Sequence, residues 1–125
     1  MQKIIMLGCL LLSSICELHA QSINNNTWKA YISDPINDTA IFHIYSDSSF
    51  ITNAKGGFMI RNRCQIAGDT LTILDYGMEQ QSCPDAKGVY RIKLDGDSFT
   101  AALIDDSCEG RVRALTNRTW IRAKR

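Results

Sequence analysis

Proline is scarce in this 125-residue chain, with two residues in all, and aromatic side chains make up only 8%. Alongside 45% hydrophobic and 22% charged residues, that composition excludes a disordered chain, a collagen-like chain and a coiled coil. Charge of one sign is lacking as well: 14 basic against 13 acidic residues leave a net of +1. After the first 16 residues no apolar run approaches the ~20 needed for a membrane-spanning helix. Histidines number two, and His19 falls in a segment expected to be removed, so only His43 is left for acid–base work. P-loop, dinucleotide and G-x-S-x-G signatures are absent. So is C-x-x-C spacing, and no metal site or cofactor is expected.

What is present begins with a leader. Met1-Gln2-Lys3 is a short positive start, residues 4–16 are apolar apart from Gly8, Ser13 and Ser14, and Leu18-His19-Ala20 places a small residue before Gln21. That order is the signature of a signal peptide over 1–20, and it leaves one domain of about 105 residues over 21–125. Ile15 before Cys16 does not suit a lipid-anchor site, and Gly8-Cys9 follows too short an apolar stretch. A secreted or periplasmic location is therefore expected, without a lipid anchor, and export argues against nucleic acid as a partner. Three cysteines stay with the domain, Cys64, Cys83 and Cys108. In an oxidising compartment they predict one disulfide and one spare thiol.

Along 21–125 apolar residues recur with period 2 and not 3.6. Strands are expected at 28–32, 40–45, 50–53, 58–64, 71–74, 89–94, 98–104 and 119–123. Asp34-Pro35, Ser46-Asp47-Ser48, Gly56-Gly57, Ala67-Gly68-Asp69 and Asp95-Gly96 supply the turns between them. The longest loop is 77–87, and 105–117 has room for a helical turn. Gly68-Asp69-Thr70-Leu71-Thr72 is echoed by Gly96-Asp97-Ser98-Phe99-Thr100, which supports sequential hairpin pairing. Eight regularly spaced strands fit a sandwich or a barrel. The fold class expected is all-β, an eight-stranded antiparallel up-and-down barrel.

Strand parity assigns an interior of Trp28, Ala30, Ile32, Phe42, Ile44, Phe58, Ile60, Leu71, Ile73, Tyr90, Ile92, Leu94, Phe99, Ala101, Leu103 and Trp120. The opposite parity carries Lys29, Arg61, Arg63, Arg91 and Lys93, as a solvated wall should. In an up-and-down order, connections alternate between the two ends. Cys64 leads into a turn at one end, whereas Cys83 and Cys108 lie in the two long loops at the other. The pairing expected is Cys83–Cys108, leaving Cys64 free and facing inward.

Asn26-Thr27-Trp28 at the first strand, 88–97 around Gly88-Val89-Tyr90, and the ending 105–111 with Trp120-Ile121-Arg122 resemble the small bacterial lipocalin-like (calycin) barrels. Asn26 stands where lipocalins carry the glycine of Gly-x-Trp. The resemblance implies that Trp28 plugs the closed end with Arg122 or Arg118 stacked on it, and that the barrel takes small apolar molecules.

Other chemistry is thinner. Asp105, Asp106 and Glu109, with Asp85, offer oxygen ligands but match no Ca²⁺ loop, and acidic caps on a helical turn explain them equally. From Arg111 onward there are six basic residues and no acid, against seven basic and twelve acidic groups over 21–110, a net of −5. Such an end either meets an anionic partner or pairs within the fold, and pairing within the fold is the expectation.

Three functional readings follow. The first is a small apolar or amphipathic ligand held in the barrel against Phe42, Phe58, Tyr90 and Phe99, with Trp28 and Trp120 nearer the closed end. The second is a protein partner, as for an inhibitor or immunity-type module, met through the two long loops. The third is a non-hydrolytic enzyme, for which only Tyr90, His43 and Cys64 are candidates; none has a visible catalytic partner, so no catalytic residue is assigned.

Overall fold

In a computed structural model the protein is described over residues 22–33, 37–76 and 83–123, apart from the side chains of residues 58 and 59. The expected leader 1–20, the Asp34-Pro35 turn, residues 77–82 of the long loop and the final Lys124 and Arg125 lie outside the described residues, as does the Phe58 side chain.

Eight antiparallel strands close into a barrel in simple sequential order. They are β1 (Asn26–Ile32), β2 (Asp38–Ile44), β3 (Ser48–Asn53), β4 (Phe58–Ala67), β5 (Thr70–Tyr76), β6 (Lys87–Asp95), β7 (Ser98–Asp105) and β8 (Trp120–Arg122). A seven-residue helix, α1 (Glu109–Leu115), joins β7 to β8. It makes about two turns where the sequence suggested room for one. Closure comes from β8 pairing on one side with β7, Phe99 opposite Trp120, and on the other with β1, Trp28 opposite Arg122.

The turn glycines explain the two tight hairpins. Gly68 and Gly96 sit at φ +62° and +61°, a region that L side chains avoid and glycine enters freely. The echo between these segments extends to their wiring. Asp69 O accepts from Ile92 N–H at 2.7 Å, and Asp97 O accepts from Arg122 N–H at 2.7 Å. Each turn thus ties its hairpin to the strand beyond it.

Trp28, Ile32, Phe42, Ile44, Leu71, Ile73, Tyr90, Ile92, Phe99, Ala101 and Trp120 are buried, with Ala30, Ile60 and Leu94 packed against them. Lys29, Arg61, Arg63, Arg91 and Lys93 are exposed, as parity required. Leu103 departs from the expectation: it is 48% exposed. Pairing with β8 reaches only Ser98 and Phe99. Beyond Ala101, no strand among the described residues pairs with β7 on that side, and its pairing with β6 also shifts between Val89 and Tyr90. A side chain of inward parity there stands at an open rim.

The two ends differ. The tight turns between β2 and β3, β4 and β5, and β6 and β7 gather at one end, together with residues 22–25. Ile23 is 2% exposed there, and its carbonyl accepts from Trp28 Nε1 at 3.2 Å. The longer connections and α1 gather at the other end. Ala114 and Leu115 of α1 join the barrel core, so the helix covers the interior at that end.

Candidate functional site

The aromatic interior packs on itself. Trp28 meets Phe99 edge-on at 4.9 Å, Phe42 meets Trp120 at 5.5 Å, and Phe99 stacks on Trp120 at 6.1 Å. Arg122 lies over the Trp28 ring, its Cζ 4.7 Å from the centroid, and its Nη1 donates to Asn26 Oδ1 at 2.8 Å. Of the two arginines the resemblance offered for this position, Arg122 therefore fills it. Arg118 instead donates to the carbonyls of Tyr31 and Arg113.

At the helix end the interior turns polar. On β4 and β5, Asn62 and Asp75 occupy inward positions beside Ile60 and Ile73, and they are 1% and 2% exposed. From α1, Arg111 enters at 5% exposure. Its Nη1 donates to Asp75 Oδ1 at 2.8 Å, Nε to Asp106 Oδ2 at 2.7 Å, and Nη2 to Asp106 Oδ1 at 2.9 Å and to the Ala86 carbonyl. Asn62 Nδ2 donates to Asp75 Oδ1, and Asn62 Oδ1 accepts from Ser49 Oγ at 3.2 Å. Tyr90 Oη donates to Asp106 Oδ2. Five elements, β3, β4, β5, β6 and α1, thus meet in one buried network.

Electrostatics follow from burial and pairing. Burial pushes the Asp106 carboxyl up, but hydrogen bonds from Arg111, Tyr90 and Cys108 N–H, with the Arg111 charge, outweigh it and hold the group below the usual carboxylate range. Burial likewise works against the Arg111 cation, yet the bond to Asp106 and the charges of Asp75 and Asp106 keep it protonated more firmly than usual. Tyr90 is pushed far up by burial first and then by Asp106, so its phenol stays neutral.

The long loops are fastened over this network. Cys83 and Cys108 form a disulfide, Cα to Cα 6.0 Å, and the Cys83 N–H donates to Asp75 Oδ2 at 2.7 Å. Asp75 and the two sulfurs lie close enough to suggest metal ligation. Both cysteines are consumed in the disulfide, however, and Asp75 is held by Arg111 and Asn62. Cys64 is the free, buried thiol expected, its Sγ 3.9 Å from the Tyr45 carbonyl; burial raises its pKa.

Between the β3–β5 wall and α1 lies a cavity of about 190 Å³. Ile51, Ile60, Ile73, Ala114 and Leu115 give it an apolar body, while Asn62, Asp75, Arg111 and Arg113 line its polar side, with Gly110 completing the wall. Phe42, Tyr90 and Phe99, expected from the sequence as ligand contacts, are buried in the core and are not in this lining. Parity could have found Asn62 and Asp75, which are polar residues at inward positions. Nothing in the sequence pattern marks Arg111, which sits within a run of basic residues.

Among the described residues, part of the acidic and basic clusters pairs within the fold. Asp106 serves Arg111, Arg122 lies 3.2 Å from Asp97, and Arg113 lies 4.0 Å from Glu109. The three enzyme candidates are not assembled. His43 stacks on Phe50 at the outer wall, 4.3 Å between ring centroids, with Thr52 Oγ1 at 3.2 Å. Cys64 and Tyr90 are inside, on separate partners.

The geometry defines a closed eight-stranded antiparallel barrel, consistent with a calycin-like fold and with ligand-binding barrels in general. The chain matches no protein-family model, no curated protein and no solved structure.

Proposed function

We propose that the protein is an exported, lipocalin-like barrel that holds a small apolar or amphipathic molecule between the β3–β5 wall and α1. The observation that carries the reading is the cavity of about 190 Å³ inside the barrel, apolar in body and polar at one side. An apolar cavity of ~150 Å³ in another protein stays dry and takes benzene, so a ring-sized body or a short chain is the appropriate scale. The self-packed aromatics supply a rigid floor, and the disulfide keeps the helix and its loops in place above. A disulfide also supports an oxidising compartment, in keeping with the leader.

The test is a thermal-shift series with uncharged ring-sized and short-chain compounds, repeated on Ala114→Leu, which adds carbon into the cavity. Binding raises the melting temperature by an amount that grows with the logarithm of ligand concentration once this exceeds Kd. The native protein should respond and the folded Ala114→Leu variant should not; equal responses would place binding elsewhere and sink the reading.

A second reading, a protein partner at the loop end, draws on exposed Leu103 and Ile104, 48% and 49% accessible beside Asp105. One stoichiometric partner recovered with native protein but not with Leu103→Lys would favour it.

A further inference from the structure

The polar side of the cavity has an incomplete set of hydrogen bonds, and what is left over identifies the kind of molecule it accepts. Asp106 is saturated. Its Oδ1 accepts from Cys108 N–H and Arg111 Nη2, each at 2.9 Å, and its Oδ2 accepts from Arg111 Nε and Tyr90 Oη. A carboxylate offers about four acceptor positions, so none is left. Asp75 has three filled, by Asn62, Arg111 and Cys83 N–H. Its Oδ2 is the oxygen tied to the loop.

The donors are in surplus. Arg111 carries five N–H groups, of which Nε, both of Nη2 and one of Nη1 are used. Asn62 uses one N–H of Nδ2 toward Asp75, and that carboxylate, an acceptor, fixes the orientation of the amide and leaves Oδ1 to accept from the Ser49 hydroxyl. One N–H on Arg111 and one on Asn62 therefore have no acceptor among the described residues. Both residues line the cavity. A buried donor without an acceptor is costly, and an oxygen atom of a ligand at this side of the cavity would supply one.

Charge decides which oxygen. Two buried carboxylates face one buried guanidinium, while Tyr90, Asn62 and Ser49 are neutral, so the network already carries one net negative charge. A second anion brought in beside this network would meet that charge after losing much of its own hydration. Arg113 at the lining has a side chain 49% exposed, so solvent screens its charge and it counts for less than the buried groups.

We infer that the cavity selects an uncharged molecule with a ring-sized apolar body and a carbonyl- or amide-type oxygen, and that it rejects the corresponding carboxylate. The inference rests on the cavity reading proposed above and adds the head-group chemistry to it. It runs against a fatty-acid cargo, which an apolar barrel lining alone would have allowed.

The experiment holds the body constant and changes the head: acetophenone, ethylbenzene, benzoate and benzylamine at pH 7, titrated against protein with ¹³C-labelled isoleucine methyls. Ile51, Ile60 and Ile73 report from within the cavity. Acetophenone should bind at least about tenfold more tightly than benzoate, and about fivefold or more over ethylbenzene, the scale of one or two net hydrogen bonds. In Asn62→Leu the advantage over ethylbenzene should shrink while ethylbenzene itself still binds. Benzoate or benzylamine binding as tightly as acetophenone, or ethylbenzene equalling it in the native protein, would overturn the head-group assignment. Failure of all four to move the three isoleucines would instead remove the cavity reading itself. The native series decides the matter even if Asn62→Leu does not fold.

Discussion

Replacing Arg111 by methionine tests the buried network at its centre. The side chain is 4% exposed and touches two carboxylates that are 0% exposed. Methionine keeps much of the apolar stem but removes hydrogen bonds to Asp75, Asp106 and the Ala86 carbonyl. It leaves two buried carboxylates without their cation. Breaking a buried pair by deleting one partner costs about 3–5 kcal/mol, far more than the net worth of the pair. In a domain of this size that corresponds to a melting temperature lower by roughly 15–30 °C. Urea unfolding under non-reducing conditions measures the loss. Arg91→Met is the control, because Arg91 and Asp69 lie 3.7 Å apart with side chains 66% and 64% exposed; it should change stability by less than about 0.5 kcal/mol. A triple variant, Arg111→Met with Asp75→Asn and Asp106→Asn, should regain much of the loss, because no net charge is then left buried. If Arg111→Met costs under about 1 kcal/mol, the network is a surface-type pair and the account of the helix end is wrong.

Three further outcomes are expected. Asp106 has a native pKa below its unfolded value of about 3.9. The stability it contributes is therefore complete at neutral pH, declines as pH falls toward that unfolded value, and is gone below the native one. Asp106→Asn should flatten the fall of the urea midpoint between pH 6 and pH 2, and an unchanged slope would contradict this. Removing the Cys83–Cys108 crosslink, 25 residues apart, by double serine substitution should cost about 3.5 kcal/mol on the chain-entropy estimate; a loss under 1 kcal/mol in non-reducing denaturation would argue against the crosslink. At Gly88 an added Cβ would fall 2.9 Å from Asp106 Cγ and 3.0 Å from the Tyr90 ring, whereas at Gly110 it meets open space. Gly88→Ala should thus destabilise by about 1–3 kcal/mol and Gly110→Ala stabilise by about 0.5–1 kcal/mol, with thermal melting to compare them.

The barrel was legible because its determinants are local. Alternating parity put Phe42, Ile73 and Tyr90 inside and Arg61, Arg91 and Lys93 outside. Gly68 and Gly96 punctuated the hairpins, and sequential order was enough to bring Cys83 to Cys108. The site was less legible because it depends on geometry that spans elements. Asn62 shares the inward parity of Ile60 and Cys64 in the expected strand 58–64, and Asp75 falls one residue past the expected strand 71–74, so an interior assigned by hydrophobicity takes neither. Arg111 is inward only because α1 folds back over the barrel mouth, and a seven-residue helix is too short to show a period. Leu103 was placed inside by parity and left at the rim by the shortness of β8. Cavity volume depends on how closely α1, which brings Ala114 and Leu115 to the lining, approaches the wall that carries Ile51 and Ile73. No single strand encodes that distance.

The barrel is proposed to hold a small uncharged molecule beneath α1. Non-denaturing mass spectrometry of protein purified without detergent from the cells that make it measures this directly. The account predicts an excess on the order of 100–200 Da, the scale of a ring-sized guest, that is lost on unfolding and absent from Ala114→Leu. A bare mass for the native protein, or an excess that Ala114→Leu retains, would contradict it.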